Sequence, residues 1–373
     1  MYFTYKVFVT CPYYFVKFYA FIPHLVYKSE KDMDAKITKI RLSRMLSYDW
    51  LKIVLGAAAA ILVWSLIFTM TATRITPAQQ FTAFNYLGNA TFYSTKFNDL
   101  YQTAFNENIF SYEVIEINQN DVAANSDYAA DLMGARLATD EGDVIFAADI
   151  DKEDTAIKNE SGEIIGYEYT YLETLVRDYS TYLYELDPAK ENSFFNKMEV
   201  YLDGFYDGGW ENADTLNEEK VKTQFRNRVK KDKRYKKEAQ LLQGEQDDVA
   251  RIKKYRDALE KFYAWEDAGV VSFTTTVFSD RTDADKVYYP ADGVYSVNIC
   301  PDERTEGLKE YLGYYLEVVD ENGQKHYPIS AQNMNVAFFR LPGVADGFQY
   351  ESLLFVNFII ENALAQTQAT TQN

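Results

Sequence analysis

The sequence has few of the residues that usually build a chemical site. Only two cysteines and two histidines occur among its 373 residues. Cys11 and Cys300 are far apart in the chain, as are His24 and His326, so we expect neither a disulfide framework nor a metal site. No G-x-S-x-G, H-E-x-x-H or P-loop motif is present. The sequence therefore predicts a non-enzymatic protein without a cofactor.

Positive charge is also scarce, because 38 Lys and Arg face 56 Asp and Glu, for a net charge of −18. A protein of this sign repels a phosphate backbone, which excludes nucleic acid as a partner. The composition is otherwise globular, with 47% hydrophobic and 25% charged residues. The long chain after residue 75 is sufficient for one large domain or for two lobes.

Only one long apolar run stands out. The letters IVLGAAAAILVWSLIFTM occupy Ile53–Met70 without a charge. As a helix, this run is about 27 Å long, which is close to the thickness of a bilayer's hydrocarbon core. We therefore expect a transmembrane helix over residues 51–72, with the lipid bilayer as a partner through Ile53–Met70.

The charges on either side of this run predict its orientation. Only Arg74 follows it before Lys96, whereas the preceding side carries Lys28, Lys31, Lys36, Lys39, Arg41, Arg44 and Lys52. Basic flanks stay cytoplasmic, so residues 1–50 are predicted to be cytoplasmic and the C-terminal domain extracellular, in a single-pass protein of the cell membrane. A cleaved signal peptide is the alternative, although Thr71-Ala72-Thr73 is a weak cleavage site.

The first residues allow two interpretations. Residues 1–27 are rich in Tyr and Phe, and Val7–Tyr27 forms a second, poor membrane segment in one of them. In the other, the protein starts at Met33, and MDAKITKIRLSRMLSYDWLKIV is a short basic leader into the apolar helix. Residues 1–32 would then be upstream translation, and both interpretations stay open.

After the apolar run, the hydrophobic pattern alternates between strand and helix. Strands are predicted at Phe81–Asn85, Tyr112–Ile117 and Asp143–Ala148, with helices over 93–106 and 126–139 between them. The run DVIFAA is continuously apolar, as in a parallel strand that is buried on both faces. This alternation predicts a parallel α/β layer.

The rest of the chain is predicted to be richer in helix. We expect a hairpin after the turn Asn159–Gly162, a helix over 171–185 and a last helix over 348–363 that precedes a disordered tail, 364–373. Further predictions are a helix-rich region 193–268 with charged helices over 217–243 and 246–267, short strands at 270–277 and 295–299, and a hairpin around 320–323.

Three segments carry a family resemblance: SYEVIEIN, YAADLMGARLATDEGDVIFAAD and YLETLVRDYSTYLYELD. Over about residues 80–190, the chain resembles the first lobe of bacterial extracellular solute-binding proteins, the receptors of ABC importers. The resemblance implies a periplasmic-binding-protein-like parallel α/β lobe within an extracellular domain, 75–363. The sequence departs from the family at 193–268, where a second α/β lobe is replaced by a helix-rich region.

The resemblance also implies a ligand site and a transport partner. A sugar or peptide would bind in a cleft beyond the carboxyl ends of the parallel strands, and an ABC importer permease would be the partner. The implied ligand residues are Asn85, Tyr86, Asn89, Asp149, Trp210 and Tyr295.

Two other functions stay open beside ligand capture. A membrane-tethered accessory or scaffolding protein would have this cleft filled with side chains, or would lack it. An extracellular hydrolase would bring two carboxylates, or a nucleophile and a base, to the floor of the cleft.

One segment is positively charged although the domain is negative, because residues 220–237 include ten basic residues. One interpretation is a solvated helix face paired with acids such as Glu218, Glu219 and Glu238. The other is contact with anionic lipid headgroups or with an acidic partner.

Overall fold

A computed structural model describes most of the chain after residue 50. The described residues are 39–40, 43, 47, 50–71, 75–86, 94–122, 128–152, 155–279, 289–316, 318–340 and 347–371. They belong to two compact units that divide after Arg74, and each unit is described by itself. The predictions for residues 1–32, including the choice between Met1 and Met33 as the start, lie outside the described residues.

The first unit contains one long apolar helix, α1 (Trp50–Thr71). Its segment Trp50–Phe68 has a mean hydropathy of 2.3, and none of this segment is buried inside the protein. A core helix of the same composition would be covered by neighbouring elements, whereas these apolar side chains are exposed. The helix is therefore long and apolar enough to cross a membrane, as the sequence predicts.

The second unit begins with the predicted parallel layer. Strand β1 (Gln80–Tyr86) pairs in parallel with β2 (Glu116–Val122) and with β3 (Val144–Ala148). Helices α2 (Ser94–Asn106) and α3 (Ala129–Leu137) lie between these strands in the sequence. The prediction of a parallel α/β layer is confirmed, although β2 starts at Glu116 rather than at Tyr112.

Some of the remaining strands extend this layer into a mixed sheet, and the others pair in separate two-stranded sheets. The remaining strands are β4 (Ala156–Lys158), β5 (Ile164–Tyr167), β6 (Ser272–Thr276), β7 (Gly293–Asn298), β8 (Tyr314–Tyr315), β9 (Val318–Val319), β10 (Lys325–His326), β11 (Ile329–Ser330) and β12 (Met334–Phe338). The six-stranded sheet has the order β2-β1-β3-β12-β7-β6, and β12 is antiparallel to both β3 and β7. The fold class is therefore mixed α/β, and its likeness to a periplasmic-binding-protein lobe stays a prediction.

Both predicted hairpins form. Strands β4 and β5 pair across the turn at Asn159–Gly162, where Asn159 Oδ1 accepts from the backbone N–H groups of Ser161 and Glu163. Strands β9 and β10 pair across the second turn, and β8 and β11 pair just outside them.

The other helices are α4 (Tyr171–Tyr179), α5 (Phe194–Asp203), α6 (Glu218–Val229), α7 (Glu238–Asp267), α8 (Lys309–Leu312) and α9 (Glu351–Thr371). The predicted helix break near residue 244 is wrong. Gly244 lies inside α7, where a Cβ atom would be 2.3 Å from the Phe225 ring and 2.7 Å from the Tyr235 ring. The glycine therefore permits close helix packing and does not end a helix.

The prediction of a disordered tail from residue 364 is wrong as far as Thr371. Helix α9 continues through these residues, and Thr367 Oγ1 accepts a hydrogen bond from the backbone N–H of Gly307 at 2.8 Å. The backbone of Ala363 also passes so close to Gly307 that a Cβ atom there would be 2.3 Å from the Ala363 oxygen. This packing against residues 303–308 holds a polar sequence in a helix.

The sheet is buried on both faces. Along β3, Val144, Phe146 and Ala148 point into one apolar cluster, and Ile145 and Ala147 point into another. The first cluster contains side chains of α2, α5, α7 and α9, and the second contains those of α3 and α4. The second unit is thus a three-layer arrangement with its own complete core.

The helix-rich region shares the core of the sheet. The ring centroid of Phe195 on α5 lies 4.7 Å from that of Phe262 on α7 and 6.4 Å from that of Phe338 on β12. Phe355 on α9 packs edge-on against Phe81 on β1, with 5.0 Å between the ring centroids. In the described residues, the region 193–268 therefore covers one face of the sheet and is not a separate lobe.

Candidate functional site

The carboxyl edge of the parallel strands is where the resemblance implies a ligand. Strands β1 and β3 end there at Tyr86 and Ala148. Strand β7 runs parallel to β3, because β12 between them is antiparallel to both, so β7 also ends at this edge, at Asn298. Ligands of open α/β sheets bind at such an edge.

Two of the predicted ligand residues lie in the core. Asn85 is 1% exposed and Tyr86 is 4% exposed. The Tyr86 ring belongs to the same apolar cluster as Val122 and Met133. A ligand in a surface cleft contacts neither side chain in this arrangement. Asn89 lies outside the described residues.

Asp149 is the predicted residue that lies at this edge and retains access to solvent. It is half-buried directly after β3, and its backbone N–H donates to the Asn333 carbonyl oxygen at 2.9 Å. Burial raises the pKa of its carboxyl, a hydrogen bond from Thr170 opposes this rise, and the charges of Glu173 and Asp151 add to it.

Trp210 and Tyr295 are not brought together with Asp149. Trp210 is buried, with its ring centroid 6.1 Å from that of Tyr263. Tyr295 is half-buried near the start of β7, which is the end remote from the carboxyl edge, and its hydroxyl donates to the Ala291 carbonyl oxygen. The six predicted residues therefore do not form one described site.

A polar network that the sequence did not predict crosses the antiparallel half of the sheet near the same edge. Asn335 on β12 accepts at Oδ1 from Thr274 Oγ1 at 2.7 Å and from Ser296 Oγ at 3.0 Å. Its Nδ2 donates to the Asn333 carbonyl oxygen at 2.9 Å. The sequence signal for this network is the polar residues in the segments NMN and YSVN. These residues can be recognised as a network only when β6, β7 and β12 are known to be neighbours.

A cavity of about 390 Å³ lies next to this network. Its volume is at the lower end of the range for small-molecule sites. Asp302 in its wall accepts from the Arg304 guanidinium, and Glu306 pairs with Lys309 at 2.7 Å. The cavity therefore presents mainly acceptor groups, which suit hydroxyl or ammonium donors. It is lined by Cys300, Asp302, Glu303, Glu306, Ser330 and Gln332.

The cysteine in the wall of this cavity is not an activated nucleophile. Cys300 is 1% exposed, and burial raises the pKa of its thiol to about 11, which keeps it protonated and unreactive. Burial likewise raises the pKa of Tyr314 to about 12, and its hydroxyl donates to the Gln332 carbonyl oxygen. No group of three His, Cys, Asp or Glu side chains in the described part of the chain is arranged to hold a metal ion.

A buried polar cluster lies elsewhere in the described residues, between α6, α7 and α9. Asp248 Oδ1 accepts from Arg251 Nε and from an Arg228 nitrogen, both at 2.8 Å, and from the Tyr112 hydroxyl at 3.1 Å. Arg251 also donates to the Tyr201 hydroxyl at 3.0 Å. Arg251 is 1% exposed and Asp248 is 2% exposed, so both charges are taken out of water.

Aromatic rings and a second carboxylate complete this cluster. The Arg251 guanidinium lies 4.4 Å from the ring centroid of Phe348 and 5.3 Å from that of Tyr255. The Tyr255 hydroxyl donates to Glu351, which also accepts from the backbone N–H of Ser111 at 2.8 Å. Burial raises the pKa of Glu351. The buried charges of this cluster hydrogen-bond to groups from several elements, which indicates that the cluster joins these elements.

The sequence signal of this buried cluster is a polar stripe on a helix. Asp248, Arg251 and Tyr255 are spaced by three and four residues, so they share one face of α7. In a helix with charges on every side, this stripe cannot be recognised as buried from spacing alone.

Asp143 is a further perturbed carboxyl, at the start of β3. Its Oδ2 accepts from the backbone N–H of Thr82 at 2.7 Å. Burial of the carboxyl raises its pKa to about 8, against the effect of this hydrogen bond, and the charge of Glu351 adds to the rise. Asp143 thus favours its neutral form in the folded domain.

Comparisons of the chain with protein-family models, with curated proteins and with solved structures find no match. The resemblance to solute-binding proteins therefore stays a prediction.

Proposed function

We propose that this chain is a membrane-tethered accessory or scaffolding protein, whose domain after residue 75 acts through its surface and does not enclose a solute. The observation that carries this proposal is the shared core. The helix-rich region packs directly on one face of the sheet through Phe195, Phe262 and Phe338, so it shares the core of the sheet and does not form a second lobe. The burial of Asn85 and Tyr86 supports the same conclusion.

The tether in this proposal is α1. Its apolar segment Trp50–Phe68 has the length and hydropathy of a membrane span. Basic residues precede it in the sequence, so the N-terminus is cytoplasmic and the domain extracellular. The protein is then a single-pass protein of the cell membrane.

A second candidate function is capture of a sugar or peptide, with delivery to an ABC importer permease. The observation that favours it is the polar cavity of about 390 Å³ at the carboxyl edge of the sheet. Ligand capture by lobe closure requires a second lobe that faces this cavity, and in the described residues the helix-rich region belongs to the same core as the sheet.

A thermal-shift screen of residues 75–373 distinguishes the two functions. This fragment contains both apolar clusters and the whole sheet. A ligand at 100 times its dissociation constant adds about 2.7 kcal/mol to the stability of a protein, which raises its Tm by a few degrees. We expect no such shift with sugars, oligosaccharides or peptides.

A clear shift with one ligand class would contradict the scaffolding proposal and support ligand capture. The variant Glu303→Gln, in the wall of the cavity, then shows where the ligand binds. Glu321→Gln, on the exposed tip of the β9–β10 hairpin, is the matched control. A shift that E303Q abolishes and E321Q retains assigns the ligand to the cavity.

Membrane extraction tests the tether separately. We expect the full chain to stay with membranes after alkaline carbonate washing, and a chain without residues 50–71 to be released. Protease added outside intact cells should digest the domain after residue 75. Release of the full chain by carbonate would show that α1 does not anchor it.

A further inference from the structure

The turn that joins α6 to α7 carries an unusual concentration of positive charge. Residues 230–237 contain the five exposed lysines Lys230, Lys231, Lys233, Lys236 and Lys237, called here the lysine turn. The chain as a whole has a net charge of −18, so this surface is opposite in sign to the rest of the protein.

The other basic residues of the segment are largely neutralised by acids. The ion pairs are Lys222–Glu219 at 3.0 Å, Arg226–Glu245, Arg228–Asp248 at 2.8 Å and Arg234–Glu113 at 3.0 Å. The prediction of a solvated helix face paired with neighbouring acids describes Lys222, whereas the three arginines pair with acids from other parts of the chain. Within the part of the chain that the structure describes, the lysine turn has no ion pair of its own.

The lysine turn is held in place by its neighbours. The Tyr235 ring packs edge-on against Phe225, with 5.0 Å between centroids, and Gly244 leaves room for both rings. Arg234 connects the turn to Glu113, and its backbone N–H donates to Asp232 Oδ1 at 2.8 Å. The lysines therefore project from an ordered backbone, which reduces the entropy lost on binding.

We propose that the lysine turn binds the anionic headgroups of the membrane in which the protein is tethered, and so orients the domain on the bilayer surface. This inference rests on the proposed tether. Lysine ammonium groups are hydrated point charges that suit a diffuse layer of lipid phosphates. A structured acidic peptide is better matched by the planar fork of arginine, and the three arginines of this segment already hold acids of their own chain.

The surrounding charge explains why such a turn is needed. An acidic domain is repelled by an anionic leaflet, and this repulsion acts over about 8–10 Å at physiological salt. Each lysine near such a surface increases the affinity of the protein for the surface about fivefold. Five lysines on one turn therefore select the single face of the domain that approaches the lipid.

Lysine labelling of the full chain in nanodiscs tests the proposal. The probe is an amine-reactive acetylating reagent, with the modified lysines quantified by mass spectrometry. In discs that contain phosphatidylglycerol, we expect the lysine turn to be labelled about fivefold more slowly than in discs of phosphatidylcholine alone. High salt should remove the difference. Lys158 and Lys325, on the two hairpins, are exposed controls that should be labelled equally in both discs.

Equal labelling of the lysine turn in the two kinds of disc would overturn the proposal. Protection that depends on an added protein, and not on the lipid, would overturn it in favour of an acidic protein partner. A chain that does not enter the discs contradicts the tether, and the lysine turn is then tested alone by floating residues 75–373 with phosphatidylglycerol vesicles.

Matched triple variants complete the flotation experiment. We expect K230Q/K233Q/K236Q to bind such vesicles about 100-fold more weakly than the unmodified fragment. The control K158Q/K190Q/K325Q has the same net charge as this variant, and its affinity should stay within about twofold of that of the unmodified fragment. Equal loss in both variants would attribute binding to net charge alone and refute a specific lysine turn. Circular dichroism shows whether both variants are folded.

Discussion

Replacing Asp248 with asparagine isolates the buried charge cluster, because it removes one negative charge and preserves the shape of the side chain. Asp248 is the shared acceptor of Arg228, Arg251 and Tyr112. Without its charge, Arg251 stays buried among the rings of Phe348 and Tyr255 and loses the carboxylate that accepts from its Nε. The asparagine oxygen still accepts hydrogen bonds, so the variant tests charge rather than packing.

The expected magnitude follows from the burial of both partners. Arg251 is 1% exposed and Asp248 is 2% exposed, and breaking a buried ion pair by removing one partner lowers stability by about 3–5 kcal/mol. Typical domains unfold with a total of about 5–15 kcal/mol. The substitution therefore removes a large fraction of the stability of the domain.

Urea unfolding of residues 75–373, followed by tryptophan fluorescence, measures this change. With a slope of about 3 kcal/mol per molar urea, the midpoint should fall by about 1 M or more. The matched control is Asp257→Asn on the same helix. Asp257 is 69% exposed and pairs with Arg256 at 3.1 Å, so its replacement should lower stability by no more than about 1 kcal/mol.

Similar midpoints for D248N and D257N would refute this reasoning. They would mean that the Arg251 guanidinium reaches water in solution, or that Glu351 ionises and takes over the role of Asp248. The pH dependence of D248N separates these explanations, since a newly ionised Glu351 would make its stability rise with pH.

Two further substitutions test the packing of α7 and the protonation of Asp143. Gly244→Ala should destabilise the domain by about 1–3 kcal/mol, because the new Cβ would overlap the Phe225 ring. Gly134→Ala on α3, where a Cβ meets no atom within 4 Å, should be neutral or stabilising in the same urea assay; equal losses would contradict the described packing. Since the pKa of Asp143 is raised to about 8, the unfolded chain loses this proton at lower pH than the folded domain. Stability should therefore fall as pH rises from about 4 to 8, by at most about 1.4 kcal/mol per pH unit, and D143N should show a smaller slope. Unfolding midpoints at several pH values measure this, and identical slopes would place the Asp143 carboxyl in water.

The local elements of the fold and its parallel layer were predictable, and the antiparallel half of the sheet was not. The continuous apolar letters of β3 and the Gly-containing turns of the hairpins report structure within a few residues. Strand β12 was not predicted, although it lies in the centre of the sheet with all five residues buried. Its neighbours, β3 and β7, are distant in sequence, and no local pattern specifies such a pairing.

The residues of the candidate site were likewise only partly predictable from the sequence. Asp149 follows a correctly predicted strand and lies at the expected edge. Tyr86 was predicted to lie in the loop after a strand, but it is the last residue of β1 and is buried in one apolar cluster with Met133 and Leu137 of α3, and this packing depends on tertiary structure. The polar network around Asn335 joins three strands whose adjacency is invisible in the sequence.

The position of β12 has a consequence for how the domain is made. Among the described residues, the strand that joins the parallel and antiparallel halves of the sheet is the last one in sequence. Until Met334–Phe338 leaves the ribosome and, in the proposed topology, crosses the membrane, β3 presents an unpaired apolar edge. Such edges are prone to pair with other chains, and sheets closed by distant segments fold slowly. A protein of this topology therefore has a vulnerable interval during its biogenesis that ends only when β12 has been synthesised and has paired with β3.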